Sequence, residues 1–241
     1  MAVVGLRGRF TVLKLVLLAC VAGLSGVGLR CGAQPIPASA SPTVAPSALP
    51  LVRPRAVVLH VHSDVTDQQF LPELVRRLRA ALAPALHTLP TTFDLKPLRS
   101  WTGIVDGQAI AGALIGSVDW KRDAATVQVL LIADDLRLKP ANFSLAVSNG
   151  TAATPHHIVI VSLHRLQQVG LLDRATDRNP ARTAERAFKL ILKNVARVSG
   201  YAASNLCVFG FPRSVDELDA LPEGFCEPDR TLLVNAGIAR P

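Results

Sequence analysis

The sequence is poor in charged and aromatic residues and has no repeated glycine triplet. Charged residues make up 18% of the 241 positions and aromatic residues 5%, whereas hydrophobic residues make up 49%. High hydrophobicity with little charge excludes an intrinsically disordered chain, and the missing triplet excludes a collagen-like fibre. Only one stretch lacks charges for long enough to matter, which excludes a membrane protein with several spanning helices. We expect one globular domain of about 190 residues preceded by a leader.

The common catalytic and cofactor-binding motifs are also missing. The chain contains no GxGxxG or GxxxxGK loop, no GxSxG elbow, and neither a CxxC nor an HExxH motif. These absences remove the arguments for a phosphate-binding loop, a serine hydrolase and a standard zinc site. His60 and His62 have a spacing that metals use, but we interpret them as hydrogen-bonded side chains of a buried strand.

No acidic residue occurs before Asp64, so the start of the chain is purely basic. Three basic residues within the first fourteen positions are followed by fifteen uncharged residues, 15–29. A basic start followed by an apolar segment of about 7–15 residues is typical of a secretory signal peptide, whereas a spanning helix needs about 20. Small residues that end at Ala33 or at Ala40 offer cleavage sites. We therefore predict a signal peptide over residues 1–33, with an uncleaved N-terminal anchor as the alternative.

This leader predicts an exported protein, whether periplasmic, secreted or membrane-anchored, that meets a membrane only through its N-terminal segment, and only if that segment is uncleaved. Without residues 1–33 the chain keeps 22 basic and 18 acidic residues, because the leader holds four basic residues and no acidic one. The Pro-, Ala- and Ser-rich segment 34–54 is predicted to be a linker, and the folded domain is expected over residues 55–241. The scarcity of aromatic residues and the absence of a known motif argue against nucleic acid as a partner.

Hydrophobic periodicity predicts an α/β domain with helices packed on one sheet. The longest helix is predicted to begin with Asn179 as its N-cap and Pro180 in its first turn, and to stop at Gly200. The predicted strands are 56–62, 91–95, 126–133, 142–148 (an edge strand) and 157–163, and the earlier helices are 67–83, capped by Thr66, and 105–117.

Four segments between residues 126 and 229 resemble the archaemetzincins, a branch of the metzincin-like zinc peptidases. The first, 126–148, is a strand that leads into an acidic turn and an edge strand, and the second, 157–166, is a strand that ends in Ser-Leu-x-Arg-Leu. The third, 182–204, is a long helix, and the fourth, 207–226, is a Cys-x-Phe turn followed by a second cysteine. The resemblance implies a zincin-like α/β fold, with a single mixed twisted sheet and packed helices that include a long former active-site helix.

The helix departs from the family at every residue that carries out the chemistry. In the family it carries H-E-x-x-H-x-x-G-x-x-H, in which three histidines bind zinc and the glutamate activates a zinc-bound water. The resemblance places Lys193 and Arg197 at the first two histidines, Asn194 at the glutamate and Ala203 at the third histidine. Protonated lysine and arginine offer only donors. The comparison therefore implies that the chain has no catalytic residue, metal or cofactor at this place.

The family's second metal site, a structural zinc held by four cysteines, is reduced in the same way. Cys207 and Cys226 match two of the ligands, whereas Ser204 and Asp229 fall near the missing ones. Two thiolates alone make a poor structural zinc site, but in an oxidising compartment they can close a loop of about 20 residues. The resemblance and the leader together favour a disulfide between Cys207 and Cys226, with free buried thiols as the alternative.

Basic residues form a stripe along the long helix, separate from its apolar stripe. In the family the equivalents of Lys193 and Arg197 face the substrate cleft, which predicts a positive cleft where Lys189, Lys193 and Arg197 bind an anionic ligand or a peptide. The alternative is a solvated helix face neutralised by Asp177 and Glu185. The stripe consists of Arg182, Arg186, Lys189, Lys193 and Arg197.

The leading hypothesis is an exported, catalytically inactive pseudopeptidase that acts as a binding or structural module, with a partner that the sequence does not identify. One alternative is an active zinc-dependent metallopeptidase or hydrolase with displaced ligands. A further alternative, which the composition disfavours, is a basic nucleic-acid-binding protein.

Overall fold

The computed structural model describes residues 51–117, 120, 123, 125–139, 143–151, 154–167, 179–201 and 207–241. The predictions for the leader, for most of the linker, and for Asp177, Ala203 and Ser204 lie outside these ranges. Over the described ranges, no helix combines the length and the apolar character needed to cross a membrane.

The elements in chain order are β1 (Ala56–His62), α1 (Leu71–Ala81), β2 (Ala85–Thr91), β3 (Ile104–Asp106), α2 (Gly107–Gly116), β4 (Thr126–Ile132), β5 (Asp135–Arg137), β6 (Ala146–Asn149), β7 (His157–Ser162), α3 (Pro180–Val198), α4 (Val215–Ala220) and α5 (Asp229–Asn235).

A five-stranded mixed sheet forms the centre of the domain and confirms the predicted fold class. Its strand order is β2-β1-β4-β7-β6. Strands β2, β1, β4 and β7 are parallel, whereas the edge strand β6 runs antiparallel to β7. A separate parallel pair, β3 and β5, adds to the single sheet that the sequence predicts. Because four strands share one direction, their carboxyl ends lie along the same edge of the sheet.

The two central strands are hydrophobic along their whole length because both faces of the sheet are covered. All of β7 and residues 127–132 of β4 are buried. Side chains alternate between the two faces of a strand. Val129 and Leu131 accordingly belong to one hydrophobic core and Leu130 and Ile132 to a second. Continuous apolar runs of this kind are typical of parallel strands that are buried on both sides.

Helices cover the two faces of the sheet and make a three-layer domain. Leu78 of α1 and Ile191 of α3 lie in the core that contains Val129. On the opposite face, Ile110 and Leu114 of α2 lie in the core that contains Leu130. The longest helix, α3, therefore lies against the sheet on the same side as α1.

The ends of α3 follow the sequence closely. The side-chain oxygen of Asn179 accepts hydrogen bonds from the backbone N–H groups of Ala181 (3.0 Å) and Arg182 (3.2 Å). Pro180 occupies the first helical position, where its missing N–H costs nothing. Gly200 has a φ of 95°, which is typical of the glycine that ends a helix. The predicted cap and stop are confirmed, and α3 is 19 residues long.

The sequence misplaces the first helix. α1 begins at Leu71, and Phe70 holds its N-cap position without a side-chain hydrogen bond, so the prediction of a helix from 67 capped by Thr66 is wrong. Side chains hold residues 65–69 in a turn: Gln68 donates to the carbonyl of Val65, and Asp67 accepts from the N–H of Gln69. Such local side-chain bonds to the backbone compete with helix formation.

The predicted strand at 91–95 is also wrong. The strand is β2, residues 85–91, which pairs in parallel with β1. It contains Pro90, which has no backbone N–H to donate to a neighbouring strand, so the sequence around it does not predict a strand. The proline is tolerated because β2 is an edge strand of the sheet.

Candidate functional site

The basic stripe of α3 is largely buried. The exposed fraction is 5% for Arg186, 1% for Lys189 and 5% for Lys193. Only Arg182 and Arg197, at the two ends of the stripe, are exposed. The predicted solvated face is therefore wrong for the three central cations. We call Arg186, Lys189 and Lys193 the cation column.

Arg186 is fixed by a bidentate ion pair. Its Nε and Nη2 donate to the two carboxylate oxygens of Asp219 at 2.7 and 2.6 Å, and Nη1 donates to the carbonyl of Leu166 at 2.8 Å. Burial raises the pKa of Asp219, but the hydrogen bonds and charge of Arg186, aided by Arg182 and Lys189, outweigh burial and leave this pKa below its usual value. The carboxylate of Asp219 is therefore ionised at neutral pH and neutralises Arg186.

Lys189 is saturated with acceptors. Its ammonium lies 2.7 Å from the carboxylate of Glu185, one helical turn earlier. It also donates to the carbonyls of Leu218 at 3.3 Å and Asp219 at 3.1 Å. An ammonium has three donors, so three acceptors occupy all of them. Lys189 has no donor left for the anionic ligand that the sequence predicts there.

Lys193 lies beneath an exposed aromatic ring. Its Nζ donates to the carbonyl of Gly210 at 2.6 Å and lies 4.3 Å from the centre of the Phe211 ring. The guanidinium carbon of Arg197 lies 5.8 Å from the same ring centre, and Phe211 is 74% exposed. Burial lowers the pKa of Lys193 to about 8, and the positive charge of Arg197 adds to this effect. The site thus consists of the buried ammonium of Lys193, covered by the ring of Phe211, with the guanidinium of Arg197 as a second cation at its exposed side.

Asn194 takes no part in any cleft. Its side-chain Nδ2 donates to the carbonyl of Leu190 at 2.8 Å, within the same helix, and the residue is buried. An amide also takes up no proton near neutral pH, so it cannot serve as the base that the family's glutamate provides. Of the four aligned positions, Lys193, Asn194 and Arg197 lie on α3, and Ala203 lies outside the described residues.

The segment after α3 is held against it by a disulfide and an aromatic stack. Cys207 and Cys226 form the predicted disulfide, with their Cα atoms 5.9 Å apart. The ring of Phe209 stacks on Tyr201 and on Phe225, with centroids 4.9 and 5.4 Å away. These contacts place Gly210 and Phe211 over Lys193.

Asp229 holds one end of this aromatic stack. The hydroxyl of Tyr201 donates to Oδ1 of Asp229 at 2.5 Å, and burial together with this bond raises the pKa of Tyr201. Asp229 is one of the two residues near the positions where the family has its other cysteine ligands. In this chain it serves as a buried hydrogen-bond acceptor.

A crevice at the carboxyl ends of the parallel strands escaped the sequence analysis. It has a volume of about 540 Å³. The polar residues that directly follow β1, β4 and β7 indicate such a site, because parallel strand ends meet at one edge. Its lining residues are Asp64, Arg99, Thr102, Gly103, Ile104, Ala133, Asp134, Asp135 and His164.

The histidines of β1 are ordinary structural residues. Nε2 of His60 hydrogen-bonds to the side-chain oxygen of Gln128 at 2.7 Å, and Nε2 of His62 to the carbonyl of Phe93 at 2.7 Å. His62 also accepts a hydrogen bond from the N–H of Asp64 through Nδ1. Both side chains have partners, in agreement with the interpretation made from the sequence.

A mostly parallel sheet with an antiparallel edge strand and a long helix beneath it defines a zincin-like α/β protein. The fold is that of the archaemetzincins. The structure is similar to an archaemetzincin from Methanopyrus kandleri, with 18% identity and a TM-score of 0.58 over 76% of this chain and 95% of that one. It is also similar to the archaemetzincin from Archaeoglobus fulgidus, solved with malonate, with 16% identity and a TM-score of 0.56 over 73% and 98% of the two chains.

A zinc-dependent peptidase from Methanocorpusculum labreanum gives the same result, with 18% identity and a TM-score of 0.57 over 73% of this chain and 99% of that one. No protein-family model and no curated protein sequence matches the chain. Similarity at this level of identity shows the fold, and the function has to be argued from the side chains.

Zinc, which this fold family implies, does not fit the described residues of the site. Lys193 and Arg197 present donors in place of nitrogen ligands, and Asn194 is bonded to its own helix. Across the described ranges, no three His, Cys, Asp or Glu side chains are grouped so that they can hold a metal ion. Zinc binds nitrogen, thiolate and carboxylate ligands, which a protonated lysine or arginine cannot replace.

We expect Asp219→Ala to destabilise the protein by about 2–4 kcal/mol, because it removes the bidentate carboxylate partner of the buried Arg186 guanidinium. The measurement is the free energy of unfolding from urea denaturation at pH 7. The matched control is Arg76→Ala, which removes an exposed ion pair with Glu73 and should leave the unfolding midpoint nearly unchanged. Equal, small effects of the two substitutions would contradict a supporting role for the cation column.

We expect Lys193 to make stability rise between about pH 8 and pH 10. The folded protein releases this proton near pH 8, whereas the unfolded chain keeps it to about pH 10.4, so the unfolded state binds more protons in this window. Lys193→Met should remove the rise in the free energy of unfolding, measured by urea denaturation at several pH values. Lys96→Met, at an exposed lysine, is the control that keeps it. A Lys193→Met profile parallel to that of the native protein would show that the prediction is wrong.

Proposed function

We propose that this archaemetzincin-like chain is a catalytically inactive, exported protein that acts as a binding or structural module. The observation that carries the proposal is Lys193, which stands at the position of the first zinc-binding histidine. Its ammonium is buried and bonded to the carbonyl of Gly210. A cation in this place repels a divalent metal ion and offers it no lone pair.

The neighbouring positions support the same conclusion. Metal-assisted hydrolysis needs a base within reach of the water that attacks the substrate. Asn194 stands where that base would be, and its side chain is occupied by the carbonyl of Leu190. No group on the described part of α3 takes over this role with a free carboxylate, because Glu185 is paired with Lys189.

The cation column has a structural use that explains why it is buried. Arg186, Lys189 and Lys193 bind the chain at Asp219, Leu218 and Gly210, respectively. Three cations along one helix thus hold the segment from 210 to 219 through backbone carbonyls and one carboxylate. We propose that this column holds the region in place without a metal ion.

Any ligand at the former cleft would meet Arg197 and Phe211 rather than the whole predicted stripe. These two side chains are exposed, whereas Lys189 is fully bonded and Lys193 is covered. A carboxylate or an acidic peptide with an apolar side chain fits a guanidinium next to an open aromatic ring. We retain an anionic or peptide ligand as part of the proposal, with Arg197 as its charged contact.

We expect purified full-length protein, incubated with zinc and then desalted, to retain far less than one zinc per chain by elemental analysis. It should also fail to cleave a mixed peptide library, because a donor-only residue replaces a ligand. An archaemetzincin with the intact H-E-x-x-H-x-x-G-x-x-H motif is the positive control. One tightly bound zinc per chain, removed by a chelator together with a peptidase activity, would instead establish the alternative of displaced ligands.

Export is proposed from the basic, then apolar, start of the chain. The Cys207–Cys226 disulfide supports it, since such bonds persist in oxidising compartments. Residues 1–54 fused to a reporter that is active only outside the cytoplasm should give activity. Replacing Leu17 and Leu18 by aspartate should abolish that activity, because charges interrupt the apolar segment. Activity that survives this change, or never appears, would oppose export.

A further inference from the structure

The crevice at the strand ends contains a network of paired charges. Nη2 of Arg99 donates to Asp64 at 3.0 Å and to Asp134 at 2.9 Å. Its Nε lies 2.7 Å from the other carboxylate oxygen of Asp134. Arg165 is bidentate to Asp135, with both bonds at 2.8 Å. Three carboxylates therefore face two guanidinium groups, and every one of the three has a cationic partner.

This pairing limits what the crevice can bind. Arg99 already donates to two carboxylates, so it is a poor receptor for a phosphate or a carboxylate. The acidic residues do not form a metal site, as no suitable group of three ligands exists in the described ranges. The remaining capacity lies in carboxylate lone pairs, the exposed ring of His164 and the hydroxyl of Thr102, which already shares one hydrogen bond of 2.8 Å with the hydroxyl of Ser100. A neutral ligand with several hydroxyl groups matches this set, because hydroxyls both donate and accept.

An exposed tryptophan stands in the turn that forms one wall of the crevice. Trp101 is 97% exposed and directly precedes Thr102 and Gly103, which line the crevice. The turn is ordered: the N–H of Gly103 donates to the carbonyl of Ser100 at 3.0 Å, and the N–H of Ser100 donates to the carbonyl of Ile104 at 2.8 Å. Trp101 does not itself line the crevice, but an indole that is 97% exposed next to two lining residues has its large apolar face available to a ligand that extends out of the crevice.

We propose that the crevice and Trp101 form a saccharide-binding site. The indole would stack on the C–H face of a pyranose ring, while Asp64, Thr102 and His164 bind its hydroxyl groups. The volume of about 540 Å³ lies within the range of about 300–1,000 Å³ for small-ligand pockets. None of the lining residues belongs to α3, so the site extends the proposed role as a binding module without depending on the loss of zinc.

The test uses the fluorescence of Trp101 in full-length protein. The chain has two tryptophans, and the other, Trp120, is 8% exposed and packs against His60. Trp120→Phe therefore leaves Trp101 as the single reporter. The probes are cellohexaose, xylohexaose, maltohexaose and chitohexaose. At least one should shift the emission to shorter wavelength in a saturable way, with half-saturation below about 1 mM.

Calorimetric titration of the responding sugar separates the roles of the residues. Trp101→Ala should weaken binding by about tenfold or more, since it removes the stacking surface. Thr102→Ala should also weaken it. The matched control, Leu232→Ala, removes an exposed apolar side chain of α5 that does not line the crevice and should leave sugar affinity unchanged.

Several results would overturn the proposal. One is no response to any of the four sugars up to about 10 mM, a tenfold excess over the expected half-saturation. A second is equal sugar affinity in Trp101→Ala and the native protein. A third is a response to phosphatidylglycerol vesicles in place of the sugars, which would identify Trp101 as a membrane contact. A fourth is a response to spermidine in place of the sugars, which would identify the crevice as an amine site. Zinc content is unaffected by all of these outcomes, so failure here is distinguishable from failure of the proposed loss of catalysis.

Discussion

The burial of three cations along one face of α3 is the constraint on which the rest of this structure depends. A charge removed from water is stable only where acceptors replace its hydration. Here most of the acceptors come from the chain that follows: the carboxylate of Asp219 and the carbonyls of residues 210, 218 and 219. The path of that segment, its disulfide and its aromatic stack are therefore fixed relative to the helix. Replacing a buried ion pair by apolar side chains can leave stability unchanged. The distinctive contribution of the column is therefore that it fixes which residues of the following segment lie against which residues of α3.

This constraint also explains the chemistry at the helix positions where the sequence resemblance places the family's zinc ligands. A metal centre needs lone pairs that converge on an open point, whereas the cation column presents hydrogens that converge on backbone oxygens. Lys193 is held by Gly210 and covered by Phe211, and Asn194 is bonded to its own helix. The fold that this chain shares with the archaemetzincin structures thus accommodates buried donors on its long helix. It does so because the two hydrophobic cores lie on the faces of the sheet and contain none of these side chains.

The sequence predicted most of the fold because its strongest patterns are local. The apolar runs of β4 and β7 and the Asn179–Pro180 start of α3 act over a few residues and were placed correctly. β2 was missed because its place in the sheet comes from pairing with β1, which leaves no periodic pattern around Pro90. The cation column was interpreted as either solvated or open because, apart from the carboxylates of Glu185 and Asp219, its acceptors are backbone carbonyls, which carry no sequence pattern. The crevice was missed for a similar reason, since its residues come from separate strand ends.

The crevice and the cation column share no residue and are built on different elements. The crevice belongs to the strand ends and the Ser100–Gly103 turn, and the column belongs to α3 and the segment after it. A lineage can therefore replace every residue of one region while selection continues to act on the other. In this domain, the crevice is therefore built from residues other than those that the sequence resemblance aligns with the family's zinc ligands.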